Sequence, residues 1–165
     1  MPNLEIRFRS LLFMGLLFFV NTLQAEIKVE TVEDLRVLKQ QAETDDLPVL
    51  LLFTSEDCEY CDALRINYLL PMVKSSEYKS SILIRQIYIE DYSYLRDLKG
   101  ELISGDVLAL KYDVDVTPTI LFISGSGNEL AQRIVGISNI YYFGEILDKQ
   151  IAVAKLALAK MLNNS

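Results

Sequence analysis

The only two thiols of this chain, Cys58 and Cys61, sit in the stretch "TSEDCEYC", with Glu59 and Tyr60 between them. Crosslinking neighbours this close closes a very small ring. In the loop-entropy picture that stabilises a fold by roughly 1–2 kcal/mol less than a long loop would, so a structural staple does not explain the spacing. Structural zinc takes four protein ligands. The chain has no histidine and no other cysteine, so no metal site is expected. Redox chemistry accounts for the pattern better. Thiols at i and i+3 on the first turn of a helix point the same way. The first lies where unpaired backbone N–H groups and the helix dipole support a thiolate. Cys58 is therefore the expected attacking thiol. Cys61, one turn deeper, is placed to attack a mixed disulfide and release the partner.

The elements around the pair suit this chemistry. "PVLLLFTS" precedes it, a continuous apolar run of strand length opened by Pro48, as in a strand buried on both faces. Before that, "TVEDLRVLKQQAETDD" predicts a helix with Thr31 as cap and Glu33 and Asp34 in its first turn. After the cysteines, Cys61, Leu64, Tyr68 and Met72 recur at helical spacing, and Pro71 is expected to kink or end that helix. "SILIRQIYIE" reads as a second strand. The polar segment "DYSYLRDLKGELISGD" reads as an insertion with a short helix, and "DVLALKYDV" as another helix. "PTILFIS" and "ELAQRIVGI" form a hairpin across "GSGN". A long amphipathic helix with a break near Gly144 closes the chain. The order α-β-α-β-α-β-β-α predicts a mixed sheet covered on both faces. The tyrosines of "DYSYLRDL" and "NIYYFGEIL" are assigned to core packing, with a partner surface as the alternative.

Bulk composition narrows the classes. At 165 residues and 51% apolar content, one domain with a full core is expected. The formal charge of −7 has no basic run against it, which excludes nucleic acid as a partner. Residues 1–25 read as a cleaved signal peptide: Arg7 and Arg9, then the ten apolar residues "LLFMGLLFFV", then "NTLQA" ending at Ala25. An uncleaved N-terminal membrane anchor is the alternative. Export places residues 26–165 in an oxidising compartment, where disulfides persist.

One further motif joins the cysteine pair. "DVTPTILF" puts Thr117–Pro118 directly before the third predicted strand. With Cys58-Glu59-Tyr60-Cys61 behind a buried strand, the chain here resembles the thioredoxin superfamily over roughly residues 30 to 160. Within it the chain is most similar to exported bacterial proteins of the SoxW-related kind, with an extra segment before the cis-proline. The resemblance implies an α/β thioredoxin fold: a mixed central β-sheet flanked by helices, with a short insertion before the cis-proline loop. It also implies a cis Thr117–Pro118 bond, with Thr117 and Pro118 as the substrate-docking edge. Tyr60 is read either as a partner contact shielding the dithiol or as packing against the helix.

The chain departs from cytoplasmic thioredoxins in three places. Asp57 replaces the tryptophan before the first cysteine, and Glu59-Tyr60 replaces Gly-Pro. Leu52 occupies the position of the buried aspartate that assists proton transfer. Glu56 and Glu59 are candidate substitutes as proton relays. The carboxylates of Glu56, Asp57 and Glu59 oppose an anionic sulfur, which favours a reductant over a strong oxidant. The expectation is a periplasmic thiol–disulfide oxidoreductase acting on protein disulfides, monomeric and without cofactor. The resemblance implies recharging by a membrane thiol-electron transporter of the DsbD or CcdA type. A DsbA-like dithiol oxidant and a non-catalytic binding module of the same fold are the alternatives.

Overall fold

The structure is a computed structural model and describes residues 27–90, 92–137 and 140–164. The expected signal segment, residues 1–25, lies outside the described residues. Among the described residues no helix is long and apolar enough to cross a membrane.

The centre of the fold is β2, Val49–Thr54, every residue of which is buried. Its first five residues alternate between two cores. Leu50 and Leu52 face one cluster with Leu64, Leu69, Phe143 and Leu147. Val49, Leu51 and Phe53 face the other with Leu35, Leu38 and Leu108. A strand buried on both sides reads as an unbroken apolar run, which is why it was legible from sequence.

Around β2 the sheet runs β1-β3-β2-β6-β7. Here β1 is Glu30–Thr31, β3 is Leu83–Tyr88, β6 is Thr119–Ile123 and β7 is Glu129–Val135. β1 and β2 both pair parallel to β3, while β6 is antiparallel to β2 and β7 antiparallel to β6. One layer of helices comprises α1, Leu35–Asp45, and α5, Gly105–Lys111. The opposite layer carries α2, Glu59–Leu64, α3, Leu70–Lys74, and α6, Phe143–Asn163; a short α4, Ser76–Lys79, leads into β3.

Three expectations are corrected, and the choice left open at Pro71 is decided. Thr31 does not cap α1: it lies in β1, paired with Gln86. Asp34 is the cap, its Oδ1 accepting the Arg36 N–H at 2.8 Å. The Arg36 guanidinium on the same carboxylate holds Asp34 down to about 2. Pro71 does not end its helix either. A π turn over Arg65–Leu69 precedes it, with the Leu70 N–H returning to Arg65 O. The wider turn relieves the clash between a proline ring and the carbonyl four residues back, so the helix continues to Lys74.

The insertion holds no helix of its own. It is an antiparallel hairpin of β4, Tyr94–Arg96, and β5, Leu102–Ser104. Leu95 and Ile103 pair across it and turn inward against the core that includes Leu35 and Leu38. Finally, the break before the last helix is the 3-10 turn Ile140–Tyr142, and Gly144 lies inside α6. There the missing side chain leaves room for the Tyr68 ring, whose Cε1 would come within 3.3 Å of a Cβ.

Candidate active site

β2 delivers the chain to the cysteines through the loop Ser55–Asp57. Cys58 then occupies the N-cap of α2 with extended backbone, φ −117° and ψ 94°. Its Sγ accepts the Cys61 N–H at 3.1 Å, so the sulfur takes the place of a capping oxygen. Asp62 N–H closes the first turn onto Cys58 O. The two sulfurs form a disulfide, with Cα atoms 5.2 Å apart. Cys61 is fully buried, whereas Cys58 is partly exposed. A foreign sulfur can therefore reach the first cysteine and not the second.

The Thr117–Pro118 peptide bond is cis. Pro118 is buried and its carbonyl accepts the Gly136 N–H at 2.8 Å, fixing the loop to the far hairpin strand. The Thr117 hydroxyl lies 2.9 Å from the Ser55 hydroxyl. This contact joins two loops 62 residues apart and brings Thr117 to the strand-to-helix loop that carries the cysteines.

The remaining predicted residues divide. Tyr60 is 66% exposed, so it does not pack against its helix. Glu59 is exposed. Glu56 is held at both ends. Its N–H donates to Glu90 Oε1 at 2.7 Å, and its carboxylate accepts the Tyr92 hydroxyl at 2.8 Å. That bond to Glu56 pushes the Tyr92 phenol up to about 12. Among the described residues neither Glu56 nor Glu59 has a hydrogen bond to a cysteine sulfur. Leu52 is fully buried two residues before the end of β2.

Core packing of the two tyrosine stretches is also corrected: Tyr92, Tyr94, Tyr141 and Tyr142 are all exposed. In β4 the inward place belongs to Leu95, and at the start of α6 it belongs to Phe143, which turns the adjacent rings outward.

Sequence reasoning missed three neighbours of the site. Glu90 and Tyr92 follow β3, and Arg65 lies four residues beyond Cys61. Arg65 donates to Tyr88 Oη and to Asp62 Oδ1, both at 2.9 Å. One signal was available: β3 runs parallel to β2, so residues just past its end must lie beside the loop that follows β2.

The comparisons with known proteins agree with this geometry. The thioredoxin-like domain family matches residues 35–151. No curated protein sequence matches the chain. Among solved structures, spinach chloroplast thioredoxin f is similar at 16% identity, over 77% of this chain and 88% of that one, with a TM-score of 0.52. A mutant of poplar thioredoxin h is similar at 19% identity, over 78% and 85%, with a TM-score of 0.51. Thioredoxin of Malassezia sympodialis is similar at 14% identity, over 79% and 96%, also at 0.51. At such identities the likeness is one of fold. A fold of this kind with a cysteine pair at disulfide distance supports thiol–disulfide redox chemistry. With more than half of its length matched by that family, the chain belongs to the thioredoxin-like domain family.

Proposed function

We propose that this protein is a periplasmic thiol–disulfide oxidoreductase that works as a reductant of protein disulfides, in the manner of exported SoxW-related proteins. The observation that carries the reading is the asymmetry of the pair. One sulfur is reachable at a helix N-terminus, and the other is buried one turn below it.

In the reduced enzyme the Cys58 thiolate attacks one sulfur of a substrate disulfide. A new S–S bond forms to Cys58, and the other substrate sulfur leaves as a thiolate. The Cys61 thiolate then attacks Cys58 Sγ, closing the enzyme disulfide and expelling the second substrate thiolate. Two electrons pass to the substrate, and its two thiolates take up protons. Glu59, exposed beside the pair, and Glu56 are the carboxylates placed to exchange those protons with solvent. Thr117 and Pro118 supply the edge along which the substrate chain lies, and Tyr60 offers it an aromatic surface. A membrane thiol-electron transporter of the DsbD or CcdA type returns the electrons. Residues 1–25 act as the export signal.

The carboxylates of Glu56, Asp57 and Glu59 disfavour a thiolate, and a disfavoured thiolate makes the couple more reducing. Equilibration with a glutathione buffer tests the direction. A value near about −270 mV marks the reductant, and one near about −120 mV the strong oxidant. Cys61→Ala tests the chemistry itself. In the periplasm of the producing cell it should accumulate mixed disulfides through Cys58, and reduction should release identifiable proteins. A Cys61→Ala protein that captures nothing would mark the chain as a non-catalytic binding module.

A further inference from the structure

Three hydrogen bonds clamp the loop between β2 and Cys58 onto the turn that follows β3. Ile89 N–H donates to Thr54 O at 3.0 Å. Glu56 N–H donates to Glu90 Oε1 at 2.7 Å. The Tyr92 hydroxyl donates to Glu56 Oε2 at 2.8 Å. The turn is itself anchored. Ser93 N–H returns to Glu90 O, and Gly105 N–H donates to Ser93 O at 2.7 Å. Gly105 is pressed so closely on the Tyr88 carbonyl that a Cβ would stand 1.8 Å from its oxygen. No other residue fits there, so the turn has a fixed base against the end of β3.

Two members of this clamp carry an orphaned buried oxygen, the Thr54 hydroxyl and the Glu90 carboxylate, and the charged one is the costlier. Glu90 Oε2 is shielded from solvent and has no partner among the described residues. A glutamine would accept the same N–H with a neutral amide at the shielded position, which costs less to bury than a charge. A group retained at such a cost points to a task other than holding the fold together. The bond it makes ends on an amide two residues before Cys58. Where that amide lies decides how the chain enters the N-cap position, and so how squarely the α2 N–H groups face the sulfur.

The geometry points to Glu90 as a positioning residue of the dithiol: by gripping the Glu56 amide it fixes Cys58 as the cap of α2, and thereby sets the stability of the Cys58 thiolate. This deepens the redox reading above and rests on it. Tyr92, holding the Glu56 side chain, is the second and weaker arm of the same clamp.

The test reads the dithiol directly, on the full chain and with no protein substrate. Two quantities are measured for wild type, Glu90→Ala and Glu90→Gln. One is the equilibrium constant against glutathione. The other is the pH midpoint for alkylation of Cys58 by iodoacetamide. Glu90→Ala should raise the alkylation midpoint and shift the equilibrium about tenfold toward the disulfide, about 30 mV. Glu90→Gln keeps an acceptor for the amide and should stay within about twofold of wild type. A Glu90→Ala protein that stays within twofold overturns the proposal. So does a glutamine variant that moves as far as the alanine, because charge and not the held amide would then be the cause. If the alanine variant does not fold, Tyr92→Phe replaces it. That variant should shift the equilibrium in the same direction by about threefold, and no shift overturns the proposal. Failure to trap partner proteins with Cys61→Ala would sink the enzymatic reading and leave these two measurements intact.

Discussion

Two acids in the segment between β3 and α5 are withdrawn from solvent in different ways. Asp97, at the tip of the hairpin, is fully matched. Its Oδ1 accepts the Lys99 and Glu101 N–H groups at 2.9 and 3.0 Å, and its Oδ2 accepts Lys111 Nζ at 3.1 Å. The Lys111 bond first, and the two amides after it, hold its carboxyl below the usual aspartate range. Glu90, at the base of the hairpin, has one oxygen matched and one orphaned. The fully matched acid closes a turn and ties the hairpin to α5. The half-matched acid faces the cysteine loop. Burial alone does not reveal which acid is structural; the account of its partners does.

The harshest way to break that contrast is to place a third acid where nothing can receive it. Leu52 is fully buried in the central strand, in register with Gln86 of β3 and Ile120 of β6. Leu52→Asp removes apolar burial and adds an unpaired carboxyl, and should cost about 3–5 kcal/mol in urea denaturation. A loss under about 1 kcal/mol would show that this core tolerates an unmatched carboxyl. The orphaned oxygen of Glu90 would then need no functional explanation.

Asp97→Ala comes next in size. It strands two amides and an ammonium and should lower Tm by about 5–10 °C, with disulfide exchange per folded molecule unchanged. The pH dependence has a definite sign. A carboxyl whose folded value is depressed contributes stability that is present above its unfolded value, about 4. That contribution is lost as pH falls through the lower, folded value. Wild-type Tm should therefore drop on acidification below about pH 4 more steeply than that of Asp97→Asn. Parallel slopes in thermal melts would mean that Asp97 holds no special place.

What sequence could show follows the range of the interactions. β2, the hairpin over Gly125–Asn128 and the Cys58–Cys61 pair are each written in fewer than a dozen consecutive residues, whereas the cis Thr117–Pro118 bond is implied by the resemblance that the cysteine motif carries. The β4–β5 hairpin was not legible as strands. Only Leu95 and Ile103 turn inward, and they do so because α1 lies beneath them. The grip of Glu90 on Glu56 spans 34 residues, and that of Tyr92 spans 36. No local pattern encodes either. The outward tyrosines were misplaced for a related reason: apolar character predicts burial, yet a neighbour such as Leu95 or Phe143 takes the inward position first. Pro71 shows the converse, a strong local signal overridden when a π turn absorbs it.

The smallest effect is also the most direct probe of the clamp. Tyr92 and Tyr78 both stand at about 12, each raised first by donating to a carboxylate, Glu56 in one case and Asp148 in the other. A phenolate beside a carboxylate is disfavoured, so the folded value lies above the ordinary value of about 10. The bond therefore contributes fully below pH 10 and is lost as pH rises from about 10 to about 12. Tyrosinate absorbance should show three late-titrating phenols among the nine in the chain, Tyr112 joining the two because burial pushes its phenol up. Tyr92→Phe should remove one of them while leaving Tm at pH 7 within about 2 °C of wild type. If Tyr92 instead titrates with the ordinary tyrosines, the hydroxyl does not hold Glu56 in solution. The cysteine loop would then hang on Glu90 and Ile89 alone, and the contrast between the two acids would rest more heavily on Glu90.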